Sequence, residues 1–193
     1  MTGFCANGVK MIENWGQMPR LGRLFPILAL GFFLPMIPFE AMAQAQVGQS
    51  TGLPIPRYVS LKSDRVNLRE GPSKDHRTSW VFQRAGLPVE ITAEFENWRR
   101  IRDSEGTEGW VLQSLLSGRR TGIVAPWKRG EVIPIYVKPV EGAGLSAKLQ
   151  SGVQGVLRKC DAQWCRITGE GYDGYIPKVL LWGVYPDDKD KFD

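Results

Sequence analysis

Cys160 and Cys165, with Asp161-Ala162-Gln163-Trp164 between them, and His76, the chain's single histidine, are the residues best able to make or break bonds. Two thiols at this spacing can close a cross-strand disulfide at a hairpin tip, cycle between dithiol and disulfide, or help to hold a metal. The spacing is not Cys-x-x-Cys, and no second pair or neighbouring histidine completes a ligand set. The pair is therefore expected to be a structural disulfide, with redox and metal roles as the alternatives. His76 lies in a loop sequence, Ser73-Lys74-Asp75-His76-Arg77, with no motif around it. Glu105 and Glu108 fall in a hairpin-like loop, Asp103 to Glu108, where solvated turn residues are the default. No nucleophile-elbow or metal-site pattern is present. With Cys160 and Cys165 committed and Cys5 in the N-terminal segment that reads as a signal, no Cys–His nucleophile is expected. The expectation is a protein without catalytic residues, metal or cofactor, one that binds rather than reacts.

Recognition chemistry is better represented. Trp98-Arg99-Arg100-Ile101-Arg102 and Trp164-Cys165-Arg166-Ile167-Thr168 read as strands. Alternation puts Trp98, Arg100 and Arg102 on one face and Arg99 with Ile101 on the other; Trp164, Arg166 and Thr168 lie opposite Cys165 and Ile167. An indole can stack on sugar or proline rings, and a guanidinium can grip a carboxylate. The isoleucine faces are predicted to be core. Trp98, Arg100, Arg102, Trp164 and Arg166 are thus candidate ligand-binding residues. In the competing reading the two tryptophans cap the barrels or seal an interface between them. Trp110 and Tyr175, each between a glycine and an aliphatic residue, are predicted to be core.

These segments are copies of one another. Ala85-Gly86-Leu87-Pro88-Val89 and Asn97-Trp98-Arg99-Arg100-Ile101 reappear as Ser151-Gly152-Val153 and Gln163-Trp164-Cys165-Arg166-Ile167 at an offset of 66 residues. Gly109-Trp110-Val111 is matched by Gly174-Tyr175-Ile176, slipped by one. Such self-similarity marks one supersecondary unit built twice. Subtracting 66 from Cys160 and Cys165 lands on Glu94 and Arg99. The spacing therefore predicts an ion pair at the cross-strand position that the cysteines occupy in the second copy.

Short runs rich in Val, Ile and aromatics, separated by Gly, Pro, Asp and Ser, supply the elements. Candidate strands are Tyr58–Leu61, Val66–Leu68, Trp80–Gln83, Val89–Glu94, Trp98–Arg102, Gly109–Val111 and Arg120–Val124, then Val132–Val137, Gly155–Lys159, Trp164–Thr168, Gly174–Ile176 and Leu181–Tyr185. With no long helical period, this spacing points to an all-β chain of two tandem small antiparallel barrels or sandwiches. Gln113–Leu116 and Pro177–Leu180 read as single helical turns. Almost no linker separates Val124 from the second copy, which favours direct packing of the two. A flexible lead-in is expected over 44–56, a first domain over 57–120, a second over 121–185 and a frayed charged tail over 186–193.

The beginning of the chain reads differently. Arg20 and Arg23 precede an apolar run from Leu24 to Phe39, and Ala41-Met42-Ala43 offers a small-x-small cleavage site. This is the secretory signal pattern, assigned to residues 1–43. The run is shorter than the ~20 residues that span a bilayer, and Pro26, Pro35 and Pro38 interrupt it. Cys5 is lost with the signal, which leaves Cys160 and Cys165 as an even pair in an oxidising compartment. Removing Lys10, Arg20, Arg23, Glu13 and Glu40 from the 25 basic and 20 acidic residues leaves a net charge of +4. That is too small and too dispersed to argue for nucleic acid.

With the elements placed, Val66-Asn67-Leu68-Arg69-Glu70-Gly71-Pro72-Ser73 resembles the V-N-[VL]-R-x-G-P-S opening of bacterial SH3-like domains. Asn97-Trp98-x-x-Ile101 followed by Glu108-Gly109-Trp110-Val111 resembles their W-x-x-[VI]…G-W-[VI] close. The first repeat carries the whole set in order over residues 57–118. The second keeps the latter half, and its opening, Ile133-Pro134-Ile135-Tyr136-Val137-Lys138-Pro139, lacks the Arg-x-Gly-Pro turn. Lys159-Cys160-Asp161-x-x-Trp164-Cys165 is similar to exported proteins that carry two such domains. The resemblance implies a small, strongly bent SH3-like barrel for each copy and a role in binding peptides or cell-wall polymer. The expected protein is an exported, periplasmic, non-catalytic binding module that recognises peptidoglycan peptide or glycan, or tethers a partner to it. The alternative is an adaptor that regulates an envelope enzyme without affinity for the wall.

Overall fold

The computed structural model describes residues 46–189. The signal sequence expected over 1–43 and the end of the tail, 190–193, lie outside them. The strands are β1 (Gln46–Val47), β2 (Pro54–Ile55), β3 (Arg57–Leu61), β4 (Val66–Arg69), β5 (Thr78–Phe82), β6 (Pro88–Phe95), β7 (Trp98–Arg102), β8 (Glu108–Leu112), β9 (Leu116–Ser117) and β10 (Thr121–Val124). They continue as β11 (Val132–Tyr136), β12 (Leu145–Gln150), β13 (Gln154–Cys160), β14 (Trp164–Gly169), β15 (Tyr172–Pro177) and β16 (Leu181–Trp182). Single 3-10 turns, Gln113–Leu115 and Lys178–Leu180, follow β8 and β15.

Two seven-stranded antiparallel sheets result, in the orders β5-β4-β8-β7-β6-β3-β9 and β12-β11-β15-β14-β13-β10-β16. Replacing each strand of the first by its counterpart in the repeat turns one order into the other. The two copies therefore share one topology, and the all-β, two-barrel expectation describes the chain. Period-two alternation builds a separate core for each. Leu61, Val66, Leu68, Val89, Ile91, Ile101 and Val111 fill the first. Ile133, Ile135, Leu157, Ile167 and Ile176, with both cysteines, fill the second. Burying each such aliphatic side chain is worth about 1.5–3 kcal/mol.

Each barrel closes where two strands nearly collide. β4 meets β8 at the single pair Arg69–Trp110, and β11 meets β15 at Tyr136–Tyr175. A Cβ on Gly109 would stand 2.6 Å from Leu68 Cγ and 2.8 Å from the Arg69 carbonyl oxygen. A Cβ on Gly174 would stand 2.9 Å from Ile135 Cδ1 and 3.0 Å from the Tyr136 carbonyl oxygen. Only glycine lets the backbones approach this closely.

The repeats pack directly on one another. The Tyr58 ring lies 5.3 Å from that of Trp182, edge to face, and 4.5 Å from that of Tyr185. Trp182 Nε1 donates to the Pro88 carbonyl at 3.3 Å, Thr121 Oγ1 to that of Gly86 at 2.7 Å, and Tyr185 OH to Glu90 Oε1 at 2.7 Å. Burial, reinforced by the Glu90 charge, pushes the phenols of Tyr58 and Tyr185 well above their usual range, so both stay neutral.

Three expectations need correction. The lead-in is ordered from Gln46 on: β1 and β2 form a hairpin that clasps Glu94. Ser50 N and Thr51 N donate to Glu94 Oε2 at 3.1 and 3.0 Å, while Thr51 Oγ1 and Arg57 Nη2 donate to Oε1 at 2.7 and 2.6 Å. Its polar composition suggested flexibility because the acceptor that orders it lies some forty residues away. The tail is held as far as Asp188, whose carboxylate accepts from Arg120 at 2.6 Å and from Tyr185 N at 2.9 Å, while Lys178 Nζ donates to the carbonyls of Pro186 and Asp188. Strand β12 was not anticipated, because in Leu145-Ser146-Ala147-Lys148-Leu149-Gln150 only Leu149 is buried.

Burial alone would raise the Glu94 carboxyl. The hydrogen bonds from Arg57 and Thr51 and the charge of Arg99 outweigh it and bring the group down to about 2. Because the folded value lies below the ordinary 4.5, Glu94 stabilises the fold fully above about pH 4.5, and that contribution is lost as pH falls toward 2. Glu94→Gln is expected to cost about 3 kcal/mol near neutral pH, as for a buried pair broken on one side. In urea unfolding, the gap between variant and wild type should narrow steadily from pH 4.5 to 2; a constant gap would show that the carboxylate charge does not contribute.

Candidate functional site

The tip pairs come first, because they set the two tryptophans. Cys160 and Cys165 are cross-strand neighbours on β13 and β14, joined by a disulfide with Cα atoms 4.1 Å apart. Glu94 and Arg99 occupy the same register on β6 and β7, with Arg99 Nε 3.5 Å from Glu94 Oε1. The pairing predicted by the 66-residue offset is therefore present. Arg99 is buried and also donates to the carbonyls of Glu96 and Trp98 and to Gln113 Oε1, at 2.8, 2.7 and 2.6 Å. In the second copy Asp161 Oδ1 accepts from the backbone of Gln163 and Trp164, both at 2.8 Å. Burial would raise this carboxyl, but those two N–H groups hold it below the usual range.

Both tips are tied down again by the 3-10 turns. Gln113 N donates to the Asn97 carbonyl at 2.9 Å, and Lys178 N to that of Gln163 at 2.8 Å. The next residue in each case is the tryptophan. Trp98 and Trp164 are 8% and 9% exposed, on the face opposite Ile101 and Ile167, and neither belongs to its barrel's core cluster. Each forms the floor of an outer groove.

The groove over Trp98, about 260 Å³, is walled by Arg65, Asn67, Arg69 and Lys74, with Leu112 and Leu115 at its other side. Its loop wall is pinned by Glu70 N to the Arg77 carbonyl at 3.1 Å, Ser73 Oγ to Asp75 Oδ2 at 2.9 Å, and Arg69 Nη1 to the His76 carbonyl at 2.6 Å. The His76 ring covers Gly71, where an added Cβ would stand 2.3 Å from Nε2. The groove over Trp164, about 700 Å³, is lined by Pro139, Val140, Pro177, Val179, Tyr185 and Pro186 among others. Tyr136 meets Trp164 edge-on at 5.7 Å.

The arginines singled out by sequence turn to acids of their own chain. Arg100 lies 2.6 Å from Glu108, Arg166 lies 2.5 Å from Asp173, and Arg102 pairs with the buried Glu90. Trp98, Arg100 and Arg102 do share a face, but Arg100 stands opposite Trp110 and Arg102 opposite Glu108 on β8. Trp110 and Tyr175 are half-buried on the outer face rather than core. The reason is periodicity: Gly109 and Gly174 take the inward positions, so the residues that follow point out. Sequence reasoning passed over Arg65, Asn67, Arg69 and Lys74, since their motif reads as a turn. The alternation of buried Val66 and Leu68 with exposed Asn67 was the signal that could have found them.

Among the described residues no group of three or more His, Cys, Asp or Glu could hold a metal ion, and no helix is long and apolar enough to cross a membrane. Two tandem β barrels of one topology, each carrying a groove over a tryptophan, define the architecture. The chain belongs to the bacterial SH3 domain family, which it matches over residues 62–118 and 129–183. Among solved structures it is similar to NlpC2 from Trichomonas vaginalis, at 16% identity over 70% of this chain and 51% of that one, with a TM-score of 0.30. It is also similar to NlpC1 from the same organism (17% identity, 70% and 48%, TM-score 0.30) and to an NlpC/P60 family protein from Bacillus cereus ATCC 10987 (11% identity, 65% and 55%, TM-score 0.29). The chain spans about half the length of these structures. No curated protein matches it.

Replacing both Cys160 and Cys165 by alanine should lower stability by about 2 kcal/mol, the chain-entropy value for so short a loop. The change is read from the urea midpoint. A matching drop should follow treatment of the wild type with reductant, and an unchanged midpoint in both would contradict a structural role.

Proposed function

We propose that the protein is an exported, non-catalytic binding module of the cell envelope that recognises the peptide or glycan of peptidoglycan, or tethers a partner to it. The observation that supports this reading is the pair of outer grooves floored by Trp98 and Trp164 at equivalent positions of the two repeats. An indole floor suits stacking against a sugar ring or an apolar peptide segment. Membership of the bacterial SH3 domain family supports the same reading. Arg100, Arg102 and Arg166 then act as scaffold, and recognition passes to the groove walls. A second reading, an adaptor for an envelope protein without wall affinity, is favoured by the proline, valine and tyrosine lining of the larger groove.

Sedimentation with purified sacculi tests the proposal. The mature chain is expected in the pellet. Val179→Asp, at a residue 79% exposed in the larger groove, and Lys74→Glu should each weaken pelleting several-fold while leaving the melting temperature unchanged. A wild-type chain that stays in the supernatant overturns the wall reading in favour of the adaptor.

A further inference from the structure

We propose that the two grooves have diverged in chemistry, and that the groove over Trp98 is a carboxylate receptor that takes the free C-terminal carboxylate of a wall stem peptide. The inference rests on the wall-binding reading and names the group it recognises. Arg65, Arg69 and Lys74 converge on one small groove whose lining contains no carboxylate. Of the acids nearest in sequence, Glu70 pairs with Arg77, Asp75 accepts from Ser73, and Asp64, beside Arg65, is exposed and does not line the groove. Glu108, across the sheet, pairs with Arg100. Among the described residues no side-chain hydrogen bond or ion pair engages Arg65 or Lys74, and Arg69 uses only Nη1, toward the His76 carbonyl.

Three cations gathered in a lining without an acid repel one another. A carboxylate would offset that repulsion, with the charge-assisted and bidentate geometry that guanidinium favours. Asn67 adds an amide for a neighbouring peptide group. Trp98, Leu112 and Leu115 offer the adjoining apolar surface for a small side chain. A volume of about 260 Å³ fits a terminal residue or two rather than an extended glycan.

The second groove shows that this charge is not required by the topology. Arg69, opposite Trp110, has its counterpart in Tyr136, opposite Tyr175. The loop wall that carries Lys74 is replaced by Pro139 and Val140. Lys178 is the cation among the lining residues there, and its Nζ is spent on the carbonyls of Pro186 and Asp188.

The test is an NMR titration of the intact mature chain with Nα,Nε-diacetyl-Lys-D-Ala-D-Ala, its C-terminal amide and the all-L acid. The D-acid is expected to shift the Trp98 indole and the amides around Arg65 and Lys74, leaving Trp164 in place, and to bind at least about tenfold more tightly than the amide. Arg65→Ala and Lys74→Ala, both at exposed positions, should each weaken it about five- to tenfold, and added salt should weaken it further. Equal binding of acid and amide, equal binding of the all-L acid, or shifts centred on Trp164 would overturn the assignment. Sacculus sedimentation separates this failure from that of the wider reading. If the wild type pellets but the D-acid does not titrate, the carboxylate receptor falls and wall binding stands. If the wild type does not pellet, wall binding falls and the stem-peptide assignment falls with it.

Discussion

The tip of one hairpin is the constraint on which each barrel depends. The tryptophans that floor the grooves are the first residues of β7 and β14. Each is next to the residue paired across the hairpin with Glu94 or Cys160, so the position of the ring follows from how firmly that cross-strand pair is held. The first copy holds it with charge. Glu94 is buried, and a buried carboxylate costs several kcal/mol unless its lone pairs are filled. Arg99 supplies the opposing charge, and Arg57, Thr51 and the backbone of Ser50 fill the remaining positions. The hairpin of β1 and β2 is ordered because this carboxylate needs its N–H groups. Gly48 is required within it, since a Cβ there would stand 2.3 Å from Glu94 Cδ.

The second copy could not reuse that solution. At the 66-residue offset, the counterpart of residues 46–55 is 112–121, which is already committed to the end of the first barrel: the 3-10 turn, β9 and the start of β10. No chain is free to wrap a buried carboxylate. A disulfide needs no donors, and it holds the same register without a strap. The short tandem connection, the missing linker and the Cys160–Cys165 bond are thus three aspects of one arrangement. The same economy ties the end of the chain to the interface. A barrel of about sixty residues buries only about 60% of its unfolded surface and is marginal alone. Trp182 and Tyr185, which follow the last 3-10 turn, pack on Tyr58 and Pro88 of the first copy and join the two modules.

Local and periodic features were legible in the sequence. The strand spacing, the 66-residue register, the cross-strand equivalence of Glu94–Arg99 with Cys160–Cys165, and the glycines before Trp110 and Tyr175 all follow from alternation and turn chemistry. Long-range polar partners were not legible. Nothing near Ser50 or Thr51 announces Glu94, nothing near Arg100 or Arg166 shows that an acid on the next strand will take the guanidinium, and nothing in Asp188 names Arg120. β12 escaped because its pairing with β11 is made through the backbone, with few side chains to bury. The outward position of Trp110 was available in principle, since the inward place is taken by Gly109, but adjacency to an aliphatic residue suggested the opposite.

Separation of the stabilising residues from the groove residues explains how one topology carries two unlike surfaces. The tip pairs, the crossing glycines and the isoleucines of β7 and β14 lie on inward or tip positions, and they constrain strand order and register. Arg65, Asn67, Arg69 and Lys74 lie on the outer side of β4 and its loop, and Tyr136, Pro139 and Val140 on the corresponding side of β11. Substitutions there do not share partners with the core, so their effects on stability are nearly independent of it. Duplication followed by change on this outer side alone is then sufficient to convert one groove to cations and the other to proline and aromatic surface. The tryptophan at the floor remains common to both because the tip that places it is part of the scaffold.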